Sequence, residues 1–260
     1  MPEYQRLEVE RVQSAGFIYL NRPEKRNALD SLMVAELHDA VQEFGADDSI
    51  RSIVIAGRGK AFCAGADLAY LQQMAQFTPL DNMNDSASLA RTLRAIYEVP
   101  KPVIARVHGP AIAGGCGLAT VCDIVVAVES ASFGYTEVKI GFIPAIVMAF
   151  LIRKSQQIQT RELLLSGRII TATEAAQRGL VTTVIPGSGD EAVAALDAHI
   201  SNLTAEFAAA SGSAIALTKQ MLTALDGMPL DSALDYASRM NALARMTPDC
   251  QAGIARFLNR

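Results

Sequence analysis

The sequence predicts an α/β core that passes into a helical tail. Three features lead to that class. Short apolar runs of strand type alternate with amphipathic helical patterns up to Ile185. Beyond Ile143 the helical patterns dominate, and residues 181–185 form the last strand-like run. Two glycine-rich turns, Ala64-Gly65-Ala66-Asp67 and Ala113-Gly114-Gly115, each follow a strand-like run and lead into a helical one. Strands alternating with helices and then helices alone make an α/β core with a helical appendage.

In chain order, residues 7–11 and 17–20 read as strands joined at Ser14-Ala15-Gly16, a hairpin pattern. Asn21-Arg22-Pro23-Glu24-Lys25-Arg26 reads as a turn. Asp30 or Ser31 caps a helix that runs to about residue 44, with Leu32, Val34, Leu37 and Val41 at helical spacing. Residues 52–56 form a buried-type strand and residues 68–77 a helix. Residues 78–88 are polar, contain Pro79 and read as a mobile connection before a helix at 89–97. Residues 102–107, 124–128 and 131–133 are strand-like. Helical patterns then cover 150–165, 173–178, 190–210, 213–225, 232–246 and 249–258. The expected division is a core of residues 1–190 and a helical region of residues 191–260.

Half of the 260 residues are hydrophobic, enough for a sizeable core. The net charge of −4 gives no basic surplus to neutralise a phosphate backbone, so no nucleic-acid partner is expected. The longest nearly uncharged stretch, residues 140–152, contains Gly141 and Pro144 and is too short to span a bilayer. The N-terminal residues lack the apolar segment of a signal peptide, which leads to an expected cytoplasmic location and no membrane partner. Cys63, Cys116, Cys122 and Cys250 have no zinc-ligand spacing and read as free thiols, so no metal is expected. His38, His108 and His199 give little support to a Ser-His-Asp triad.

Glycine lets a ligand approach the backbone closely, and the first turn of a helix carries unpaired N–H groups with a positive partial charge. Two such turns facing one another could hold a developing oxyanion. Asp67 reads either as a helix N-cap or as an acid. Neither a G-x-x-x-x-G-K-[ST] loop nor a dinucleotide G-x-G-x-x-G fingerprint is present.

The segment Ala61-Phe62-Cys63-Ala64-Gly65-Ala66-Asp67-Leu68 resembles the first signature of the crotonase superfamily, the enoyl-CoA hydratases and isomerases. Val107-His108-Gly109-Pro110-Ala111-Ile112-Ala113-Gly114-Gly115-Cys116 resembles the second, and the likeness continues through Leu118-Ala119 and Cys122-Asp123. Asn21-Arg22-Pro23, Asn27-Ala28-Leu29, Phe133-Gly134 and Gly179-Leu180-Val181 match in order. The resemblance implies a crotonase-like spiral of repeated ββα units with a C-terminal helical trimerisation region, acting on an acyl-CoA thioester. It places the Ala66 and Gly114 N–H groups on the thioester oxygen, Ala64 at the adenine, and Lys25 and Arg26 near the CoA phosphates. Ala28, Asp67, Leu68, Gly117, Tyr135, Ile143 and Pro144 complete the implied substrate-facing set. Coenzyme A enters as part of the substrate, no separate cofactor is implied, and the expected assembly is a homotrimer or homohexamer.

Hydration of an enoyl thioester needs a base on water and an acid at the α-carbon. The best-known hydratases resembled here use two glutamates. One position corresponds to Gly117, where the carboxylate is missing; the other corresponds to Glu137. In an extended segment Phe133, Tyr135 and Glu137 share a face, and apolar neighbours would raise the Glu137 pKa. The alternative is a solvated Glu137 paired with Lys139. A second departure follows Ile143-Pro144, where Ala145-Ile146-Val147-Met148-Ala149-Phe150 stands in place of several glycines. A single glutamate leaves open hydration of a 2-enoyl-CoA, aided by Tyr135 or Thr136, Δ3–Δ2 isomerisation, decarboxylation, or acyl-CoA binding without turnover. The run Gly134-Tyr135-Thr136-Glu137-Val138-Lys139-Ile140-Gly141-Phe142 is similar to that of enoyl-CoA and methylglutaconyl-CoA hydratases, which favours hydration. Leu71, Met74, Phe77, Met83, Ile143, Val147 and Phe150 are candidates to line the acyl chain, and Arg256 and Arg260 to reach a CoA phosphate across a subunit interface.

Overall fold

The computed structural model describes residues 3–155 and 157–258, so Arg260 lies outside the described residues. Strands β1 (Leu7–Val12) and β2 (Ala15–Leu20) form an antiparallel hairpin in which Val12 faces Ala15. The turn is therefore Gln13-Ser14, one residue earlier than predicted, with Gln13 at φ 54°. Gly16 belongs to β2. A Cβ there would lie 2.5 Å from the Phe44 ring, so this glycine permits close packing rather than a turn. Helix α1 (Ser31–Ala46) supplies that ring. Its N-cap Asp30 accepts the Met33 N–H, and it buries Met33, Val34, Leu37, Val41 and Phe44.

Strand β3 (Ser52–Gly57) is buried throughout and is followed by α2 (Leu68–Met74) and α3 (Pro79–Glu98). The expected mobile connection at 78–88 is instead the cap and first half of α3. Thr78 and Asp81 form a capping box, and Pro79 sits at the first helical position, where its missing N–H costs nothing. The polarity of this stretch reflects exposed helical turns; the buried residues, Thr92, Leu93 and Ile96, lie in the second half.

Next come β4 (Val103–Val107), β5 (Ala111–Ile112), α4 (Gly114–Val121), β6 (Ile124–Val128) and β7 (Ser132–Gly134). The helical pattern at 150–165 divides into α5 (Ala145–Lys154) and α6 (Gln157–Ser166). Then follow β8 (Ile170–Thr171), α7 (Ala172–Gln177) and β9 (Thr183–Ile185). The last four helices are α8 (Gly189–Ala209), α9 (Gly212–Ala224), α10 (Leu230–Met246) and α11 (Pro248–Leu258).

The large sheet has the order β1-β2-β3-β4-β6-β9, parallel except for the first hairpin. A smaller sheet runs β5-β7-β8, and Cys63 extends it by a parallel bridge to Ala111. The repeat predicted from the sequence thus has a spatial meaning. β3, β4 and β6 enter the large sheet, the segment after each contributes a residue or strand to the small one, and a helix follows. This is a mixed α/β fold built from ββα units.

The division expected at residue 190 falls at the start of α8. Helix α8 buries Ala192, Leu196 and Ile200 against the core and packs on β3, β6 and β9, while Asp197 pairs with the buried Arg106 of β4. It is a layer of the core, and the helical appendage comprises α9–α11. Lys219 of α9 ties that appendage down, its Nζ donating to Asp123 at 2.5 Å and to the Lys101 carbonyl at 3.0 Å.

Candidate active site

The parallel strands β3 and β4 both deliver their chain at one end of the sheet, and the two glycine turns follow there. The first turn runs alongside residues 26–29. Ala64 N–H donates to the Arg26 carbonyl, Leu29 N–H to Gly65, and Asp67 N–H to Leu29. This ladder leaves the Ala66 N–H outside it, on an exposed residue. A buried arginine holds both strands of the ladder. Arg22 donates to the Ala28 carbonyl at 2.8 Å and to Asp67 Oδ2 at 2.9 Å, and it lies 3.1 Å from Asp30. Burial alone would raise the Asp67 pKa, but Arg22 and the Ala69 N–H outweigh it and hold the carboxyl below its usual range. Asp67 is thus the ionised N-cap of α2, its Oδ1 accepting the Ala69 N–H at 2.9 Å. Asn27 is fully buried; its Oδ1 accepts the Arg22 N–H, and its Nδ2 donates to the carbonyls of Arg58, Ala61 and Phe62.

The second turn opens α4. Gly114 is the first residue of that helix, so its N–H has no intrahelical acceptor. Ala113, before it, sits at φ 51° and ψ −124°, a conformation costly for a residue with a Cβ. Its N–H is anchored on the Gly134 carbonyl at 2.7 Å. The two turns touch. A Cβ on Gly65 would lie 2.8 Å from the Ala113 methyl and 3.1 Å from the Gly114 nitrogen. A Cβ on Gly114 would lie 3.8 Å from the Ala66 nitrogen. A Cβ on Gly115 would lie 2.1 Å from the Cys63 carbonyl oxygen, so only glycine permits this approach. The backbone nitrogens of Ala66 and Gly114, on different turns, are thereby brought close together.

Gly134, whose carbonyl holds Ala113, also begins the short link to Glu137. Regular strand geometry ends at Gly134, and Glu137 opens a 3-10 turn that runs to Ile140. The shared face expected for Phe133, Tyr135 and Glu137 is therefore broken. Glu137 is 8% exposed and its Oε2 has no hydrogen-bond partner among the described residues. Burial raises its pKa, only partly opposed by a hydrogen bond from its own backbone N–H. Lys139 is exposed and forms no salt bridge with Glu137 among the described residues.

Tyr135, expected to face the substrate, is wholly buried, and its hydroxyl lies 2.6 Å from Thr120 Oγ1. The Thr120 hydroxyl donates its single proton to the Cys116 carbonyl, so Tyr135 is the donor in that pair. Its phenolic proton is thus committed to α4 rather than to a substrate. Gly117 is buried in α4. Ala28 and Pro144 are buried, Ala64 is half-buried, and Lys25, Arg26, Leu68 and Ile143 are exposed. Leu71, Met74 and Phe150 are half-buried, Phe77 and Met83 exposed, and Val147 buried. A groove of about 440 Å³ on the α8 side of the large sheet, lined by Tyr19, Arg58, Arg106, His108 and Asp197 among others, contains none of the expected site residues. Its arginines are paired with Glu8, Glu10 and Asp197.

A family model described as enoyl-CoA hydratase/isomerase matches residues 10–260. The chain belongs to the enoyl-CoA hydratase/isomerase family, within the crotonase superfamily. A Thermus thermophilus protein provisionally named an enoyl-CoA hydratase is 42% identical over 244 residues, covering 94% of each chain. The 2,3-dehydroadipyl-CoA hydratase of Escherichia coli is 35% identical over 254 residues, covering 97% of this chain and 95% of its own. Among solved structures, an enoyl-CoA hydratase of Mycobacterium smegmatis superposes with a TM-score of 0.90 at 31% identity, covering 98% of this chain and 96% of that one.

Within this enoyl-CoA hydratase/isomerase member, sequence reasoning missed the scaffold of the first glycine turn. Arg22 and Asn27 were noticed only as parts of matching motifs, without a role. Their partners lie on a segment remote in sequence, and no local pattern reports such a pairing. The unusual backbone of Ala113 carries no sequence signal either, because alanine seldom occupies that region.

Proposed function

We propose that the protein adds water across the C2=C3 bond of a 2-enoyl-CoA thioester, with Glu137 as its single acid–base group and Ala66 and Gly114 as its oxyanion donors. The observation that carries this reading is the presence of two adjacent backbone nitrogens and of a buried carboxyl whose Oε2 is unpartnered among the described residues. In the forward direction the Glu137 carboxylate takes a proton from water as the water oxygen bonds to C3. The π-electron pair moves onto the thioester oxygen, between the Ala66 and Gly114 N–H groups. The enolate then returns that pair to C2, which takes the proton from the Glu137 carboxyl. A buried carboxyl with a raised pKa suits both halves of this cycle, since it releases its proton less readily to bulk water. So read, the reaction needs no cofactor beyond the CoA of the substrate.

The reading also assigns the exposed Lys25 and Arg26 to the CoA phosphates and Ala64 to the adenine. It includes assembly as a homotrimer or a pair of trimers in the cytoplasm. The exposed Leu222, Leu230, Leu234, Leu243, Met246 and Ile254 of the appendage support an apolar subunit contact, which sedimentation of the purified protein tests.

Incubation with crotonyl-CoA, 3-methylglutaconyl-CoA and 2,3-dehydroadipyl-CoA, followed by absorbance of the conjugated thioester and by mass, tests the chemistry. A mass gain of one water supports hydration. Failure to hydrate any enoyl-CoA overturns it. The single carboxylate equally favours a second reading, transfer of a proton between C2 and C4. That reaction leaves the mass unchanged while a 3-enoyl-CoA gains conjugation.

A further inference from the structure

The missing carboxylate at position 117 and the bulky start of α5 are two sides of one contact. A Cβ built on Gly117 would lie 2.2 Å from Val147 Cγ2, 2.9 Å from its Cγ1 and 3.1 Å from its Cβ. Even a methyl group does not fit at position 117. Val147 is 4% exposed and lies on the first turn and a half of α5, which packs against α4. A β-branched side chain in a helix is held to essentially one χ1 rotamer, so the isopropyl group cannot swing aside. The polar groups of the next turn of α4 are used up internally: Tyr135 donates to Thr120, and Thr120 to the Cys116 carbonyl. Hydrocarbon therefore stands where a second acid–base group would project.

We infer that Val147 is the specificity-determining residue that holds this site to one-carboxylate chemistry, by occupying the space any side chain at position 117 would need. This rests on the enolate reading of the site and goes beyond it. It says that residue 147, which is remote in sequence from the oxyanion donors, decides how many groups exchange protons with the substrate. A carboxylate introduced at 117 finds no room until 147 is reduced.

The test compares Gly117→Glu, Val147→Gly and the double variant, by thermal unfolding and by the pH–rate profile for crotonyl-CoA. Gly117→Glu alone is expected to lower the unfolding temperature by at least about 3 °C through overpacking and to gain no activity. The double variant is expected to unfold no earlier than Val147→Gly, to show a second ionisation in its pH–rate profile and to hydrate at least about tenfold faster than Val147→Gly. Gly117→Glu as stable as the parent protein overturns the inference. So does a folded double variant that keeps a single ionisation. If the double variant does not fold, a Gly117→Ala, Val147→Ala cycle decides: relief of the Gly117→Ala loss by Val147→Ala supports the inference, and independent effects overturn it. Failure of the parent protein to turn over any enoyl-CoA would instead sink the hydratase reading, and the unfolding cycle would still judge the contact.

Discussion

The turn that carries Ala66 and the segment that carries Glu137 are held by opposite means. Around Ala66 the polar groups form a closed web: Arg22 bridges Asp67, Asp30 and the Ala28 carbonyl, and Asn27 satisfies three more carbonyls. Around Glu137 one carboxylate oxygen is left without a partner, and the neighbouring position 117 is closed by the Val147 isopropyl group. The difference suits the two tasks proposed for them. An oxyanion donor works only if its N–H already points at the place where charge will develop, so its backbone is clamped. An acid–base group works only if its proton is neither too tightly nor too loosely held, so its surroundings are dry and its hydrogen bonds few.

Three substitutions and a change of pH would break or sharpen this contrast. The largest effect is expected for Glu137→Gln, a loss of about 10²–10⁴ in turnover, measured with crotonyl-CoA. A variant that retains full turnover would mean that Glu137 is not the acid–base group. On the clamped side, Arg22→Met leaves the buried Asp67 without its cation, while Asp30 keeps Arg6. It is expected to cost about 3 kcal/mol of stability in urea unfolding and to lower kcat more than it raises KM for crotonyl-CoA. A loss that appears only in stability would mean that Arg22 does not position Ala66.

The same Glu137→Gln variant also tests burial. A carboxyl whose pKa is raised on folding favours the native state below its unfolded pKa, and that advantage is lost as pH rises through its folded pKa. Glu137→Gln should therefore unfold at a higher temperature than the parent protein at neutral pH, with the gap closing under acid conditions. The parent protein's hydration rate should fall as pH drops through the same raised pKa, because the carboxylate is the form that takes a proton from water. The smallest effect is expected for Tyr135→Phe. Loss of its hydroxyl, the donor to Thr120, should cost about 1 kcal/mol and leave the pH–rate profile in place; a displaced profile would give the phenol a part in proton transfer.

Much of the architecture was legible because it depends on local pattern. Apolar alternation and helical spacing located β3, β4, β6 and α1 to within a residue or two. The Thr78-Pro79-Asp81 cap was equally legible, but the polarity of the stretch was mistaken for a loop. Gly16 was misread for a different reason. A glycine required by a turn and a glycine required by a neighbouring ring look alike until Phe44 is seen against it.

The sequence by itself determined the order of strands and helices, the two glycine turns, and the residues whose N–H groups stand at them. Periodicity and glycine are properties of neighbouring residues, and neighbours are visible in a string. The tertiary structure alone decided that Arg22 clamps the first turn, that Tyr135 turns inward to Thr120, and that Gly117 and Val147 share one space. Each of these is a meeting of groups that the chain itself keeps apart. Close packing allows no two atoms the same volume, so the residue at 117 is constrained by a helix that the sequence places well downstream and only the fold brings back.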